Sequence, residues 1–303
     1  MLYMTTDTGI RHTETGKIRF PAYGWLGFGL VIIFWILNWT LQGPHTHWGF
    51  FPMWLGYCLA MDALVFRRTG TSLLKRSPHK RKYAGLFLIS APIWWIFELI
   101  NVRMQNWAYQ GAEHFTPLEY AFWTTLSFTT VVPAVFESAE FFASFHFIDR
   151  CRHGHKIAVN KRRTWTAFLL GWIMLVLMLV WPGIFFPFVW LSLFLILEPI
   201  NIRLGCRSLA HSAQKGDWRP FLSLCLGVLL TAFFWEMWNY YSYPKWIYRL
   251  GWGNWWHVFE MPLLGYGGYF PFALELYAFY HLINGLSGDK RRDYVRVASL
   301  ASS

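Results

Sequence analysis

The stretch FWEMWNYYSYPKWIYRLGWGNWWHVFE, residues 234–260, leaves an apolar segment at Glu236, crosses a loop crowded with Trp and Tyr, and re-enters apolar sequence at Glu260. Bilayer interfaces favour Trp and Tyr, so one reading is an aromatic belt that anchors helices. A belt does not require Glu236, Asn239, Arg249, His257 and Glu260 around it. The stretch therefore predicts a loop that covers a polar site at a membrane surface.

Composition supports lipid as the solvent. Of the 303 residues 55% are hydrophobic, 21% are aromatic and 14% are charged, against roughly 25% charged in soluble domains. Eight apolar segments approach the roughly 20 residues that a helix needs to cross a bilayer: 23–41, 48–66, 83–101, 118–148, 165–181, 185–202, 221–240 and 259–282. The fourth is too long for a simple span and is expected to run along the surface before kinking at Pro133, where a ladder hydrogen bond is lost. Segments five and six, split only by residues 182–184, predict a tight helical hairpin. The polar N-terminus has no apolar core or small-residue cleavage site, so no signal peptide is expected and the first span directs insertion.

The net charge of +11 is an orientation signal rather than a nucleic-acid footprint. All Lys and Arg except Arg103, Lys245 and Arg249 lie in the N-terminal tail, in loops 67–82, 149–164 and 203–219, or beyond residue 287. Positive loops stay in the cytoplasm, which predicts an integral protein of the inner or plasma membrane with both termini inside and the aromatic loops outside. Cys58, Cys151, Cys206 and Cys225 form no C-x-x-C pattern, so neither a disulfide framework nor a zinc site is expected. No spacing calls for a metal or cofactor.

The chain also echoes itself. FFPMWLGYCLAMDALVFRRTG from Phe50 resembles FFPFVWLSLFLILEPINIRLG from Phe185, and FELINVRMQNWAY from Phe97 resembles WEMWNYYSYPKWIY from Trp235. This places Asp62 with Glu198, Glu98 with Glu236, Asn101 with Asn239, Trp107 with Trp246, Tyr109 with Tyr248, Glu119 with Glu260, Pro133 with Pro271 and Glu137 with Glu275. Four spans per half is an even number, so the halves would enter the membrane in the same direction, about an axis along its normal. The predicted architecture is an all-α integral membrane fold of about eight transmembrane helices in two parallel four-helix repeats. Residues 1–22 would be a cytoplasmic tail, 23–148 the first repeat, 149–164 a basic linker, 165–285 the second repeat and 286–303 a second tail.

Carboxyl groups are costly in lipid and concentrate at functional positions. The outer set, Glu98, Glu119, Glu236 and Glu260, falls under the aromatic loops, while Glu137 and Glu275 lie deeper. Asp62 and Glu198 sit near the inner ends of their spans and suit structural roles. Glu98/Asn101 and Glu236/Asn239 are each three apart and share a helix face. Paired carboxylates suit glycosidic cleavage, one as acid and the other as nucleophile or base. Asn101, Asn239, Arg249 and His257 would bind hydroxyls, and Trp107, Trp246, Trp252, Trp255 and Trp256 would stack on the sugar.

Through Glu98-x-x-Asn101, Glu236-x-x-Asn239 and loop 246–260 the chain resembles integral-membrane glycoside hydrolases. That resemblance implies hydrolysis of a glycolipid or lipid-linked sugar at the outer leaflet. Thr116-Pro-Leu-Glu119-Tyr120 is similar to the Pro-x-Glu-Glu element of membrane lycopene cyclases, with Tyr120 in place of the second acid. This implies acid-driven chemistry on an isoprenoid, using a deep carboxyl such as Glu137 or Glu275. A proton-coupled transporter would also place carboxylates at mid-membrane.

Overall fold

The computed structural model describes residues 18–290 and 293–298, and most of them are helical. In chain order, α1 (Ala22–Leu41), α2 (Phe50–Thr69) and α3 (Arg81–Met104) lead into strand β1 (Trp107–Gln110). Helices α4 (Pro117–Phe128), α5 (Val131–Ala143), α6 (Lys161–Val180), α7 (Pro182–Phe185), α8 (Val189–Leu204), α9 (Leu209–Lys215) and α10 (Arg219–Tyr240) follow. The chain then forms β2 (Lys245–Tyr248), the hairpin strands β3 (His257–Val258) and β4 (Met261–Pro262), and α11 (Tyr266–Leu286).

Among the described residues six stretches are long and apolar enough to cross a membrane: Ala22–Leu41, Thr46–Thr69, Pro78–Met104, Lys161–Val180, Pro182–Leu204 and Arg219–Tyr240. A seventh is added if the bent pair Pro117–Ala143 and His146–His153 counts as one span. The remaining long helix, α11, is more polar because it carries Glu275, His281, Asn284 and four tyrosines. Leu88, Leu99 and Val102 on α3, Ile32 and Ile33 on α1 and Ile173 on α6 are exposed. Apolar side chains standing outward along whole helices mark a surface solvated by lipid.

Two expectations are corrected. The fourth segment is not kinked at Pro133. The interruption lies at Thr129–Thr130, whose hydroxyls donate to the carbonyls of Leu126 and Ser127 at 2.6 and 2.7 Å. Pro133 then falls in the first turn of α5, where an N–H has no intrahelical partner to lose. The sharp bend, 85°, comes later, ahead of the turn His146–His153. The last helix starts at Tyr266 rather than 259, because Met261 and Pro262 pair with Val258 and His257 in a hairpin. Most of the N-terminal tail and the end of the C-terminal tail lie outside the described residues.

Helix α5 is the centre of the packing: every residue from 131 to 140 is buried. It contacts α2, α3 and α10, while α8 contacts α6 and α11, α10 contacts α11, and α1 lies on α2. Glycines permit the tightest crossings. A Cβ on Gly227 of α10 would stand 2.5 Å from the Ala139 backbone nitrogen of α5, whereas one on Gly29 of α1 would meet nothing within 4 Å. Small residues at such crossings let backbones approach in membranes. Gly227→Val is therefore expected to lower stability by about 1–3 kcal/mol through overpacking, and Gly29→Ala to be neutral or slightly stabilising. Thermal unfolding in detergent compares the two, and equal melting temperatures would refute the close crossing.

The loops separate to two ends. At the basic end Gly154 N–H donates to Gly216 O at 2.8 Å and Arg207 N–H to Lys290 O at 3.0 Å. At the aromatic end Arg249 N–H donates to Asn106 O at 2.7 Å, and Trp252 Nε1–H to Ile184 O at 3.0 Å.

Candidate functional site

The loops after α3 and α10 meet as a two-stranded antiparallel ribbon. Trp107 pairs with Tyr248, Ala108 with Ile247, Tyr109 with Trp246 and Gln110 with Lys245. One asparagine fixes the entry of each strand. Asn101 Nδ2–H donates to Trp107 O at 2.8 Å, and its Oδ1 accepts from Asn106 N–H at 2.9 Å. Asn239 holds the Trp246 backbone in the same manner, donating to its O at 2.8 Å and accepting from its N–H at 2.9 Å. An asparagine amide offers both a donor and an acceptor, so one side chain satisfies both backbone groups where the helix ends.

Alternate strand residues share a face, which puts Trp107, Tyr109, Trp246 and Tyr248 on one side of the ribbon. All four line one cavity, open at one side. Trp94, Trp123, Trp190, Trp235, Phe50, Phe128 and Phe272 supply much of the remaining wall. Polar residues are the minority: Tyr109, Tyr120, Tyr248 and Tyr269, Lys245 and His47, and the small side chains of Asn38, Thr46, Thr124, Ser127 and Ser242.

Two of the tyrosine hydroxyls from the ribbon end on carboxylates. Glu98 Oε1 accepts from Tyr109 OH, from Trp94 Nε1–H at 2.9 Å and from Trp107 Nε1–H at 3.1 Å. Glu236 Oε1 accepts from Tyr248 OH and Tyr269 OH, each at 2.6 Å. Its Oε2 is buried with no partner among the described residues. Burial, reinforced by the adjacent carboxylates, pushes the Tyr109 and Tyr248 phenols well above their ordinary pKa. Both therefore remain O–H donors at neutral pH. Tyr109 and Tyr248 are diagonal neighbours across the ribbon, a relation that separates such positions by about 7–8 Å.

No protein-family model, curated protein or solved structure matches the chain. What the site does must be read from its own groups.

The structure brings Trp107 and Trp246 to the cavity wall, sets Glu98 and Glu236 behind it on the ribbon tyrosines, and uses Asn101 and Asn239 to hold the strands; Glu260 reaches the cavity edge only through Lys245, and the other residues singled out in the sequence lie elsewhere. Glu119 is exposed at the start of α4, where it and Thr116 form a capping box that satisfies helix N–H groups. Glu260 pairs with Lys245, which also donates to Tyr240 O at 3.2 Å. Trp252 packs on Phe186 with ring centroids 5.2 Å apart. Trp255, Trp256 and Arg249 point outward, as does His257, bonded to Asn254 Oδ1 at 3.0 Å. Glu137 and Glu275 are buried away from the cavity lining. Glu275 Oε1 accepts from Phe194 N–H at 3.3 Å, while Glu137 stands against the Asp62 carboxyl. No group of three His, Cys, Asp or Glu among the described residues is placed to hold a metal ion.

Sequence reasoning missed Tyr109, Tyr248 and Tyr269 as site residues. The signal for the first two was the alternation Trp-Ala-Tyr and Trp-Ile-Tyr, a period of two that marks a strand with one aromatic face; Tyr269, on α11, carried no such signal.

Proposed function

We propose that the chain is an integral-membrane enzyme performing acid–base chemistry on an apolar, unsaturated lipid of the isoprenoid class. One observation carries this reading: two phenol–carboxylate pairs, Tyr109–Glu98 and Tyr248–Glu236, stand on one face of a ribbon that walls an aromatic cavity. Each pair can move a proton in either direction. As an acid, the carboxyl gives its proton to the phenol oxygen as the phenol proton adds to an alkene carbon. As a base, the phenol oxygen takes a substrate proton while its own passes to the carboxylate. With one pair starting protonated and the other ionised, an alkene gains a proton at one carbon and loses one at another. The product is an isomer, cyclic or shifted, and the two pairs exchange states.

Glu236 is assigned the proton, since only two donors reach it, both on Oε1, and its Oε2 is buried without a partner; a turn of the carboxyl brings that proton to the Tyr248 oxygen for transfer. Glu98, with three donors on one oxygen, is assigned the acceptor role. The positive charge formed between the two steps would lie against indole faces, whose quadrupoles attract cations. A largely apolar cavity keeps out the water that would trap it.

A second reading is hydrolysis of a glycolipid or lipid-linked sugar, favoured by the Lys245–Glu260 pair beside the cavity, which suits a polar headgroup. The first reading is preferred because the groups meant to bind sugar hydroxyls are engaged or distant. Asn101 and Asn239 hold the ribbon, and Arg249 and His257 stay outside the lining.

The finer architecture belongs to the same proposal. Duplicated halves are supported by matched contacts: Asp62 Oδ2 accepts from Leu74 N–H and Glu198 Oε1 from Ala210 N–H, both at 2.7 Å and both twelve residues on. Helix α1 lies on α2 as α6 lies on α8, and α2 meets α5 as α8 meets α11. Counting α4–α5 and α11 gives eight spans, and the positive-inside rule puts the basic end in the cytoplasm.

The test is incubation of the protein in nanodiscs with acyclic polyene hydrocarbons and, separately, glycosylated polyprenols, in D₂O. A product of unchanged carbon skeleton mass that has gained deuterium supports the first reading. Released sugar supports the second, and an unaltered panel that also fails to bind would overturn both.

A further inference from the structure

The segment between β2 and α11 has two unlike sides. Met261 on β4 is buried, packs against Gly265 and lines the cavity. On the other side Trp255, Trp256, Leu263 and Leu264 are each more than half exposed. Leu263 N–H donates to Trp256 O at 2.8 Å, so these large apolar groups form one patch rather than scattered exposures. Phe259, at the turn, packs on Phe233 and Tyr240 of α10 with centroids 5.7 and 5.9 Å away. Both of those rings are themselves exposed, which makes the patch continuous with the outward apolar side of a spanning helix. A patch of this kind marks a membrane or protein contact, and continuity with a spanning helix selects the membrane. Trp is also the residue that interfaces favour.

The hairpin is thus a thin wall with cavity on one side and apolar surroundings on the other. Its side-chain tie to the ribbon is the Glu260–Lys245 ion pair, and Lys245 lines the cavity too. We propose that the β3–β4 hairpin lies in the interfacial zone of the bilayer and is the place where lipid passes sideways into the cavity, with Glu260–Lys245 as its clasp. This rests on the reading of the cavity as a lipid site and adds the route by which lipid reaches it.

The experiment has two arms. In the first, Trp256→Cys, in a Cys151→Ser/Cys225→Ser background, carries an environment-sensitive fluorophore in phosphatidylcholine nanodiscs. Quenching by nitroxide placed near the headgroup end of lipid chains, with little quenching by iodide, is expected. Iodide quenching without a nitroxide effect would overturn the hairpin's placement. In the second, Lys245→Cys/Glu260→Cys in the same Cys151→Ser/Cys225→Ser background is bridged by a bis-maleimide with a reducible disulfide spacer, which spans the length of the two lost side chains and fastens the hairpin to the ribbon. A diazirine-bearing phospholipid is photolysed after timed incubation, and label on peptides containing Trp190 and Trp235 is counted by mass spectrometry. Fastening is expected to slow labelling at least about tenfold, with recovery on reduction. Undiminished labelling of the fastened protein overturns the route while leaving the cavity reading intact. Absence of label even in the unaltered protein overturns both.

Discussion

Glu236→Gln is expected to reduce turnover by about 100- to 10,000-fold, the range that positioned acid–base groups contribute. Glutamine keeps an oxygen for the Tyr248 and Tyr269 hydroxyls but cannot store or release a proton. The side-chain shape is nearly unchanged, so melting temperature and binding of a polyene probe should stay close to wild type. Tyr248→Phe removes the hydroxyl that links the cavity wall to Glu236 and should produce a loss of similar size. Glu98→Gln should act in the same direction through the other pair. Turnover within threefold of wild type for both glutamine variants would remove the pairs from the mechanism. Selective loss of binding, with turnover of bound probe preserved, would recast them as ligand contacts.

The second large effect is on stability. Arg76→Met is expected to cost about 3–5 kcal/mol, because it leaves a buried acid without its cation. Glu140 is fully buried, and its Oε1 takes both the Arg76 guanidinium and the Arg296 backbone N–H, the latter at 2.7 Å. Arg76 Nη2–H also donates to Tyr294 O at 3.1 Å, and Tyr294 OH donates to Leu73 O at 2.7 Å. Tyr294, Val295 and Val297 are all buried, so this guanidinium, together with the Arg207–Asp293 ion pair at 2.5 Å, holds the chain after α11 against the basic end. Combining Arg76→Met with Glu140→Leu removes both charges, and replacement of a buried pair by apolar groups is often neutral or better. Thermal unfolding of the single and double variants measures this. A double variant no more stable than Arg76→Met would show that the uncompensated charge is not the source of the loss.

The helices and the two unlike ends were legible because lipid imposes long apolar runs and because Lys and Arg mark one side. The ribbon was not, since four-residue strands inside aromatic loops carry too few alternations to stand out from interfacial Trp and Tyr. Glu119 shows the opposite error. Thr116-Pro-Leu-Glu119 spells a helix start, Thr followed three residues later by Glu, and that local use accounts for the carboxylate without a ligand. Glu98 and Glu236 were singled out, yet their partners were not, because the strand tyrosines, 11 and 12 residues away, reach them only once the strand has folded back. Asn101 and Asn239 were expected to meet substrate; the energy of satisfying backbone groups at two helix ends claimed them instead.

The ribbon's register has one further consequence. Exchanging Trp107 with Trp246 and Tyr109 with Tyr248 returns the same pairs, centred on Ala108 and Ile247. A half-turn about that centre therefore maps the ribbon onto itself with no slip in alignment. What the two strands reach is not equivalent: Glu98 is held by one phenol and two indoles, Glu236 by two phenols, so a symmetric ribbon presents its cavity with two chemically distinct ends.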